Sequence, residues 1–488
     1  MKAALLALVA LAGAQANVNL PAVLSDRMVL QQGAPVRIWG RADPGESVTV
    51  GFRDQKVSTI ADSAGRWKIF LKPLEAGGPY EMTVSGQGTV VVKDILVGEV
   101  WIGSGQSNMG FTMARVNNSE QEIANANFPK IRLFKVKLKV AAEPAEDVEG
   151  SWQFCSPETV KNTSAVGYFF SREIHQERRV PVGFIESAWG GTPAEAWTSR
   201  PAMEADPALK SVFDDWDTTL ANYPAAHERY EKQLEVWKAA GKTTAAPREA
   251  PGPGHQYTPG GLFNAMIAPL TGYAMRGVIW YQGENNARKD HAYIYRRLFQ
   301  TLIEDWRRAW GEGAFPFLLV QLANFETGPQ SEWPVLRESQ VKALDVVNTG
   351  MAVTIDIGAS HDIHPTNKQD VGHRLALAAR AIAYKENLVY SGPIYRQLSI
   401  EGNQARAWFD HAGSGLAVKG EGSLAGFTIA GSDHQFVPAE AHIDGATVVV
   451  SSPDIKDPVA VRYAWAGDPV CNLVNKEGLP ASPFRSDE

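Results

Sequence analysis

The stretch Gly98-Glu99-Val100-Trp101-Ile102-Gly103-Ser104-Gly105-Gln106-Ser107-Asn108-Met109 decides how this chain is read. It opens as an apolar run suited to a strand buried on both faces and closes in a glycine-rich turn with a serine at its tip. The pattern predicts a helix beginning just after Ser107. A strand, turn and helix of this kind present the hydroxyl at the carboxyl edge of a parallel sheet, where open α/β folds bind ligands. Backbone N–H groups there lie where an oxyanion would develop. Met109 at the last position distinguishes the turn from the Gly-x-Ser-x-Gly elbow of α/β-hydrolases. No Gly-Lys-Ser/Thr follows, so it is not a phosphate-binding P-loop. Taken alone, the segment suits a helix-capping serine equally well.

Three later segments repeat the arrangement of a strand running into a polar turn. Glu186-Ser187-Ala188-Trp189-Gly190-Gly191-Thr192 follows a strand expected over 182–186, and its paired glycines let the backbone approach a ligand and aim N–H donors at it. Ile279-Trp280-Tyr281-Gln282-Gly283-Glu284-Asn285-Asn286 places amides and a carboxylate at the same edge, suited to an oxyanion or to orienting a histidine. Asp356-Ile357-Gly358-Ala359-Ser360-His361-Asp362-Ile363-His364-Pro365 follows a strand expected over 352–355. Such a late loop sets His364 against Ser107, whose hydroxyl is a weak nucleophile until an imidazole accepts its proton. The imidazole in turn needs a carboxylate or carbonyl to fix its tautomer. His361, Asp362 and His364 also suggest a metal, but a third compact ligand cluster is missing, so no metal is expected.

Around these segments the chain changes texture twice. Residues 17–93 show period-2 segments (36–39, 47–52, 67–71) separated by turn formers, the signature of a small β-sandwich. Residues 94–391 alternate apolar strands with helical periodicity, most plainly Tyr295, Leu298, Phe299, Leu302, Ile303 and Trp306, and with a second helix over 368–384. Strands over 95–102, 131–136, 182–186, 277–281, 316–321 and 352–355 imply a parallel sheet covered by helices on both faces. A charged, aromatic insertion over 203–258 ends in a Pro/Gly-rich run and reads either as a substrate-shaping cap or as a decorative hairpin. Residues 392–488 return to short alternating segments and form a second β module.

Composition narrows the classes of function. A length of 488 residues exceeds one core, and 44% hydrophobic with 21% charged residues is ordinary for a globular protein. A net charge of -7 gives no basic face for nucleic acid. Residues 1–16 read as a cleaved signal peptide, with Lys2, an apolar stretch and Ala14-Gln15-Ala16, so the mature chain is expected to start near Asn17, exported to the periplasm or beyond. No segment is long enough to span a bilayer. Cys155 and Cys471 make no disulfide framework and are read as unpaired thiols. The 14 Trp suit a protein that stacks on sugar rings, and a catalytically silent carbohydrate-binding protein is the reading from another class. That reading leaves a Ser, a Gly pair and a His at strand ends unexplained.

Together the segments resemble the SGNH-type hydrolases, specifically the sialate O-acetylesterase family with its acetylxylan esterase relatives. The resemblance rests on Gly105-Gln106-Ser107-Asn108-Met109, Trp189-Gly190-Gly191-Thr192, Trp280-Tyr281-Gln282-Gly283-Glu284 and Asp362-Ile363-His364-Pro365. Further matches are Pro259-Gly260-Gly261-Leu262-Phe263-Asn264-Ala265-Met266 and the tail Gly478-Leu479-Pro480-Ala481-Ser482-Pro483-Phe484-Arg485. It implies a flavodoxin-like α/β catalytic domain, Ser107 as nucleophile and His364 as base. It further implies an oxyanion hole from Ser107, Gly190, Gln282 and Asn285, and substrate contacts from Gln106, Asn108, Trp189 and Gly191. The third triad member is Asp362 or Glu284: SGNH enzymes place an Asp three residues before the His, where this chain has His361, while related acetylesterases use the Gln-Gly-Glu glutamate. The implied activity is hydrolysis of O-acetyl esters of sugars, with sialate first and xylan or another plant polysaccharide second, and without a cofactor.

Overall fold

The computed structural model describes residues 18–487, so the signal peptide expected over 1–16 lies outside the described residues. Its centre is a path of seven strands: β1 (Thr89–Gly105), β2 (Phe128–Lys135), β3 (Trp152–Cys155), β4 (Val182–Ala188), β5 (Gly277–Tyr281), β6 (Phe317–Val320) and β7 (Thr349–Ala352). They lie in the order β7-β6-β5-β1-β4-β2-β3. All neighbours are parallel except β3, which runs antiparallel to β2 at one edge. Every residue of β5 and β6 is buried, which is why these strands read as continuous apolar runs.

Helices cover both faces, and two tryptophans show how. Trp101 of β1 packs its ring 5.0 Å from Phe170 of α1 (Ala165–Arg178). Trp280 of β5 stands in register with Ser104, three residues further along β1 and so on the opposite face. It packs 5.9 Å from Phe299 and 6.0 Å from Trp306. Both belong to α3 (His291–Trp310), the helix predicted from their spacing. Between them in sequence lies α2 (Lys210–Ala239); α4 (Trp333–Lys342) and α5 (Lys368–Ile382) follow. From β1 the chain builds outward to β2, β3 and β4 on one side, then to β5, β6 and β7 on the other. The crevice where that direction reverses opens at the carboxyl end of β1, beside Ser107.

The α/β class with flanking β modules, expected from the sequence, is the architecture observed. The change of texture near residue 94 falls inside β1 itself: its first half pairs with Gly77–Ser85 of the amino-terminal strands, its second half with β4 and β5. The carboxyl-terminal part forms separate antiparallel sheets, including the strands Ile394–Glu401, Gln404–Asp410, Thr447–Ser451 and Glu440–Asp444. The 352–355 strand is displaced in the structure to Thr349–Ala352. It is an edge strand whose only ladder among the described residues, with β6, ends at the Val320 and Ala352 pair, so Val353 to Ile355 run on without strand pairing.

The insertion is dominated by α2, a helix of 30 residues in which only Val212 is fully buried. The following segment folds back along it. Trp237 donates to the Thr244 carbonyl at 2.8 Å, and the Tyr223 hydroxyl donates to Glu249 at 2.8 Å. The return then reaches the active edge, where the Gln256 amide donates to the Gly190 carbonyl at 3.3 Å. The two cysteines are unpaired, and burial pushes the Cys155 thiol up to about 12. Among the described residues no helix is long and apolar enough to cross a membrane.

Candidate active site

The turn that carries Ser107 is held from both neighbouring strands. Gly105 adopts φ +130°, and a Cβ there would stand 2.2 Å from the Tyr281 carbonyl oxygen, so only glycine lets β1 end this close to β5. The Gln106 N–H donates to that same carbonyl at 3.0 Å, and the Trp189 N–H donates to the Gly105 carbonyl at 3.1 Å. Met109 and Gly110 both donate back to the Gln106 carbonyl at 3.0 Å, closing a single turn with Ser107 at its tip. The helix expected after Ser107 does not form. The Ser164 hydroxyl takes the Met109 carbonyl at 2.6 Å and the Ala165 N–H takes that of Phe111 at 2.8 Å, so the acceptors a helix would use are spent on the start of α1.

His364 meets this turn: its Nε2 is 2.8 Å from the Ser107 Oγ. The imidazole stacks beside Phe111, ring centroids 6.3 Å apart and 24° between planes. Burial lowers the His364 pKa, and the positive charges of Lys368 and Arg115 add to this, while Asp362 opposes it. The ring is therefore poised in the neutral form that accepts a proton. The Asp362 Oδ1 lies 3.7 Å from His364 Nδ1, an ion-pair separation, and accepts the His364 backbone N–H at 2.8 Å. Its side chain is 59% exposed. Glu284 sits elsewhere, accepting from the Asn108 amide at 2.6 Å, with no bond to His364 among the described residues. Of the two carboxylates, Asp362 stands beside the imidazole.

Gly190 lies against Ser107. A Cβ on it would come within 3.3 Å of the Ser107 Cβ. Among the described residues the N–H groups of Ser107 and Gly190 donate to no protein acceptor, which leaves both for an oxyanion. Of the amides expected to join them, Gln282 spends both its N–H groups elsewhere and Asn285 one of its two. Gln282 is completely buried and gives both its N–H bonds away, to the Thr192 carbonyl at 3.2 Å and the Asn286 Oδ1 at 2.7 Å. Asn285 donates to the Gly191 carbonyl at 2.6 Å. Asn286 accepts from the Ala194 N–H at 3.0 Å and donates to Glu195 at 2.8 Å. The turn after β5 thus fastens the turn after β4 and fixes where Gly190 stands.

The residues expected to touch substrate divide in the same way. Trp189 and Gly191 are half-buried at the edge. Gln106 and Asn108 are 3% and 2% exposed, which removes both from direct contact with a sugar. The sequence reading missed Lys368. It is fully buried, its Nζ donates to the Asn108 Oδ1 at 2.6 Å, and burial depresses its pKa to about 7. One signal was available: a lysine in the first turn of a helix opposes the helix dipole and calls for a compensating contact. Among the described residues no group of three or more His, Cys, Asp or Glu is placed to hold a metal ion.

A family model described as carbohydrate esterase, sialic acid-specific acetylesterase matches residues 251–381, the part that carries Glu284, His364 and Lys368. The sialate O-acetylesterase of Rattus norvegicus is 30% identical over 97% of this chain and 95% of its own length. That of Homo sapiens is 30% identical over 94% and 91%. The chain belongs to the sialate O-acetylesterase family. As a member of that family it is a carbohydrate esterase. A solved carbohydrate acetylesterase from Xanthomonas citri is 40% identical and superposes with a TM-score of 0.84, covering 96% of this chain and 99% of its own. The similarity to this carbohydrate acetylesterase therefore extends through both β modules as well as the central sheet.

Proposed function

We propose that this chain is an exported serine esterase that removes O-acetyl groups from sugars by two-step acyl transfer. The 2.8 Å contact between Ser107 Oγ and His364 Nε2 carries the reading. Neutral His364 takes the hydroxyl proton as Ser107 attacks the acetyl carbonyl. The Ser107 and Gly190 N–H groups hold the oxyanion, and Asp362 stabilises the imidazolium that forms. His364 then returns the proton to the departing sugar alcohol. Water, activated by the same imidazole, attacks the acetyl-serine, and acetate leaves. Ser107→Ala lowers kcat by roughly 10⁴ to 10⁶ on this reading. Near-normal acetate release from that variant rejects it.

O-acetylated sialic acid is the substrate proposed first, supported by the rat and human relatives aligned over nearly the whole chain. The alternative substrate is an acetylated plant polysaccharide such as xylan. Acetate release measured side by side from O-acetylated sialic acid and acetylated xylan separates the two. Export by the segment 1–16 is checked by mass spectrometry of the mature amino terminus, expected near Asn17.

A further inference from the structure

Beneath the nucleophile lies a buried group of side chains that the acyl-transfer steps do not use. Asn108 directly follows Ser107. One of its amide hydrogens goes to Glu284 Oε1 at 2.6 Å, the other to the Ile363 carbonyl at 2.9 Å, and its Oδ1 accepts from Lys368 Nζ at 2.6 Å. The Lys368 ammonium also lies 4.9 Å and 5.1 Å from the ring centroids of Phe111 and Tyr281. Among the described residues the second, buried oxygen of Glu284 has no hydrogen-bond partner.

Burying two charges costs stability unless each is matched, so their retention calls for a task. A carboxylate only accepts and an ammonium only donates. Placed on opposite sides of one amide, they dictate which way it faces. A flipped Asn108 would set its N–H groups against Lys368, and its oxygen against both Glu284 and the Ile363 carbonyl. Only the observed orientation bonds Ile363, the residue before His364. The bond therefore links the residue after the nucleophile to the residue before the base.

We infer that Glu284 and Lys368 are positioning residues whose opposite charges lock the Asn108 amide, tying the serine turn to the histidine loop at hydrogen-bonding distance. This rests on the acyl-transfer role of Ser107 and His364. The test uses the full chain with p-nitrophenyl acetate, together with the rate of Ser107 labelling by a fluorophosphonate. Glu284→Gln, Lys368→Met and Asn108→Leu are each expected to lower kcat and the labelling rate by about 10- to 100-fold, the scale of a misaligned pair of reacting groups, with KM changed less than about threefold. Because both charges act through one amide, the double variant Glu284→Gln/Lys368→Met is expected to lose no more than the worse single variant. Lys368→Arg, which keeps a cationic donor, is expected to recover part of the rate.

A cooperative fold with unchanged kcat and labelling in Glu284→Gln and Asn108→Leu overturns the inference. So does a loss confined to Glu284→Gln, which would mean that this carboxylate acts on the imidazole or the substrate itself. If Lys368→Met does not fold, the other two variants still decide. Full activity in Ser107→Ala would instead reject the acyl-transfer reading, so the two failures are told apart.

Discussion

At His364 the surroundings set the pH at which a base can work. Its pKa lies below the ordinary imidazole value because burial, Lys368 and Arg115 together outweigh Asp362. A base acts when neutral, and a depressed pKa keeps it neutral to lower pH. The acid limb of kcat/KM is therefore expected below about pH 6.5, the unperturbed histidine value. A midpoint above that in a pH–rate profile contradicts this. Asp362→Asn removes the attraction that opposes the shift and should move the limb lower still. It should also cost kcat, up to the roughly 10⁴-fold seen when a buried triad carboxylate is made an amide. The exposed, 3.7 Å geometry of this pair argues for a smaller loss, though one larger than that of Glu284→Gln. At Gly190 the margin is steric: with a Cβ 3.3 Å from the Ser107 Cβ, Gly190→Ala must push the nucleophile by a few tenths of an ångström. A fall in kcat of about 10-fold or more with an intact thermal transition is expected. Ser107, Gly190 and His364 were legible only together, because a serine, a glycine pair and a histidine at three strand ends fit one arrangement where each alone also fits a cap or an ordinary turn. Gln282 and Asn108 were not, because sequence gives the edge a residue occupies but not the direction of its amide. Lys368 was hidden in a helix start whose burial only the folded chain reveals.

Among the elements, the strands were the most legible, since a strand buried on both faces must be apolar throughout. Gly277–Tyr281 has the bounds its sequence suggested. The errors fall where a neighbour outranks local pattern: β7 stops with its partner strand, and the turn after Ser107 yields its carbonyls to α1. The junction of β1 with β5 is the tightest of these contacts. Gly105→Ala would force a Cβ onto the Tyr281 carbonyl and a left-handed φ onto alanine, so the ends of both strands must part. A loss of at least about 1–3 kcal/mol in chemical denaturation, with esterase activity falling in step, is expected.

For the whole molecule, the carboxyl-terminal module is joined to the histidine loop through a chain of contacts that no motif announced. Arg337 of α4, fully buried, donates to the carbonyls of Leu322 and Ala323 at 2.8 and 2.7 Å, and across the boundary to those of Ala466 and Gly467 at 2.7 and 2.8 Å. Asp468 accepts from Asn324 at 2.8 Å, and Asn324 accepts the Gly358 N–H at 2.7 Å, within the loop that leads to His364. Arg337→Met leaves the Leu322 and Ala466 carbonyls without donors among the described residues, while Ala323 keeps Trp333 and Gly467 keeps the Phe325 N–H, and should cost about 3 kcal/mol or more in a denaturant titration. Asp468→Ala should reduce kcat modestly, by about threefold, through slack in that loop. An unchanged kcat would show the module to be a passenger.

The continuity of β1 carries a consequence for dissection and for evolution. One unbroken ribbon from Thr89 to Gly105 serves two sheets, and Glu99 within it is gripped by Gln31, Gln32 and Arg276. The amino-terminal module cannot be snipped off as a cassette. A fragment starting at residue 94 would bare the flank of Leu96 to Gly98 that pairs with Val29 to Gln31, and should emerge from expression as aggregate. Lineages carrying this esterase would be expected to inherit the two parts jointly, never shuffled.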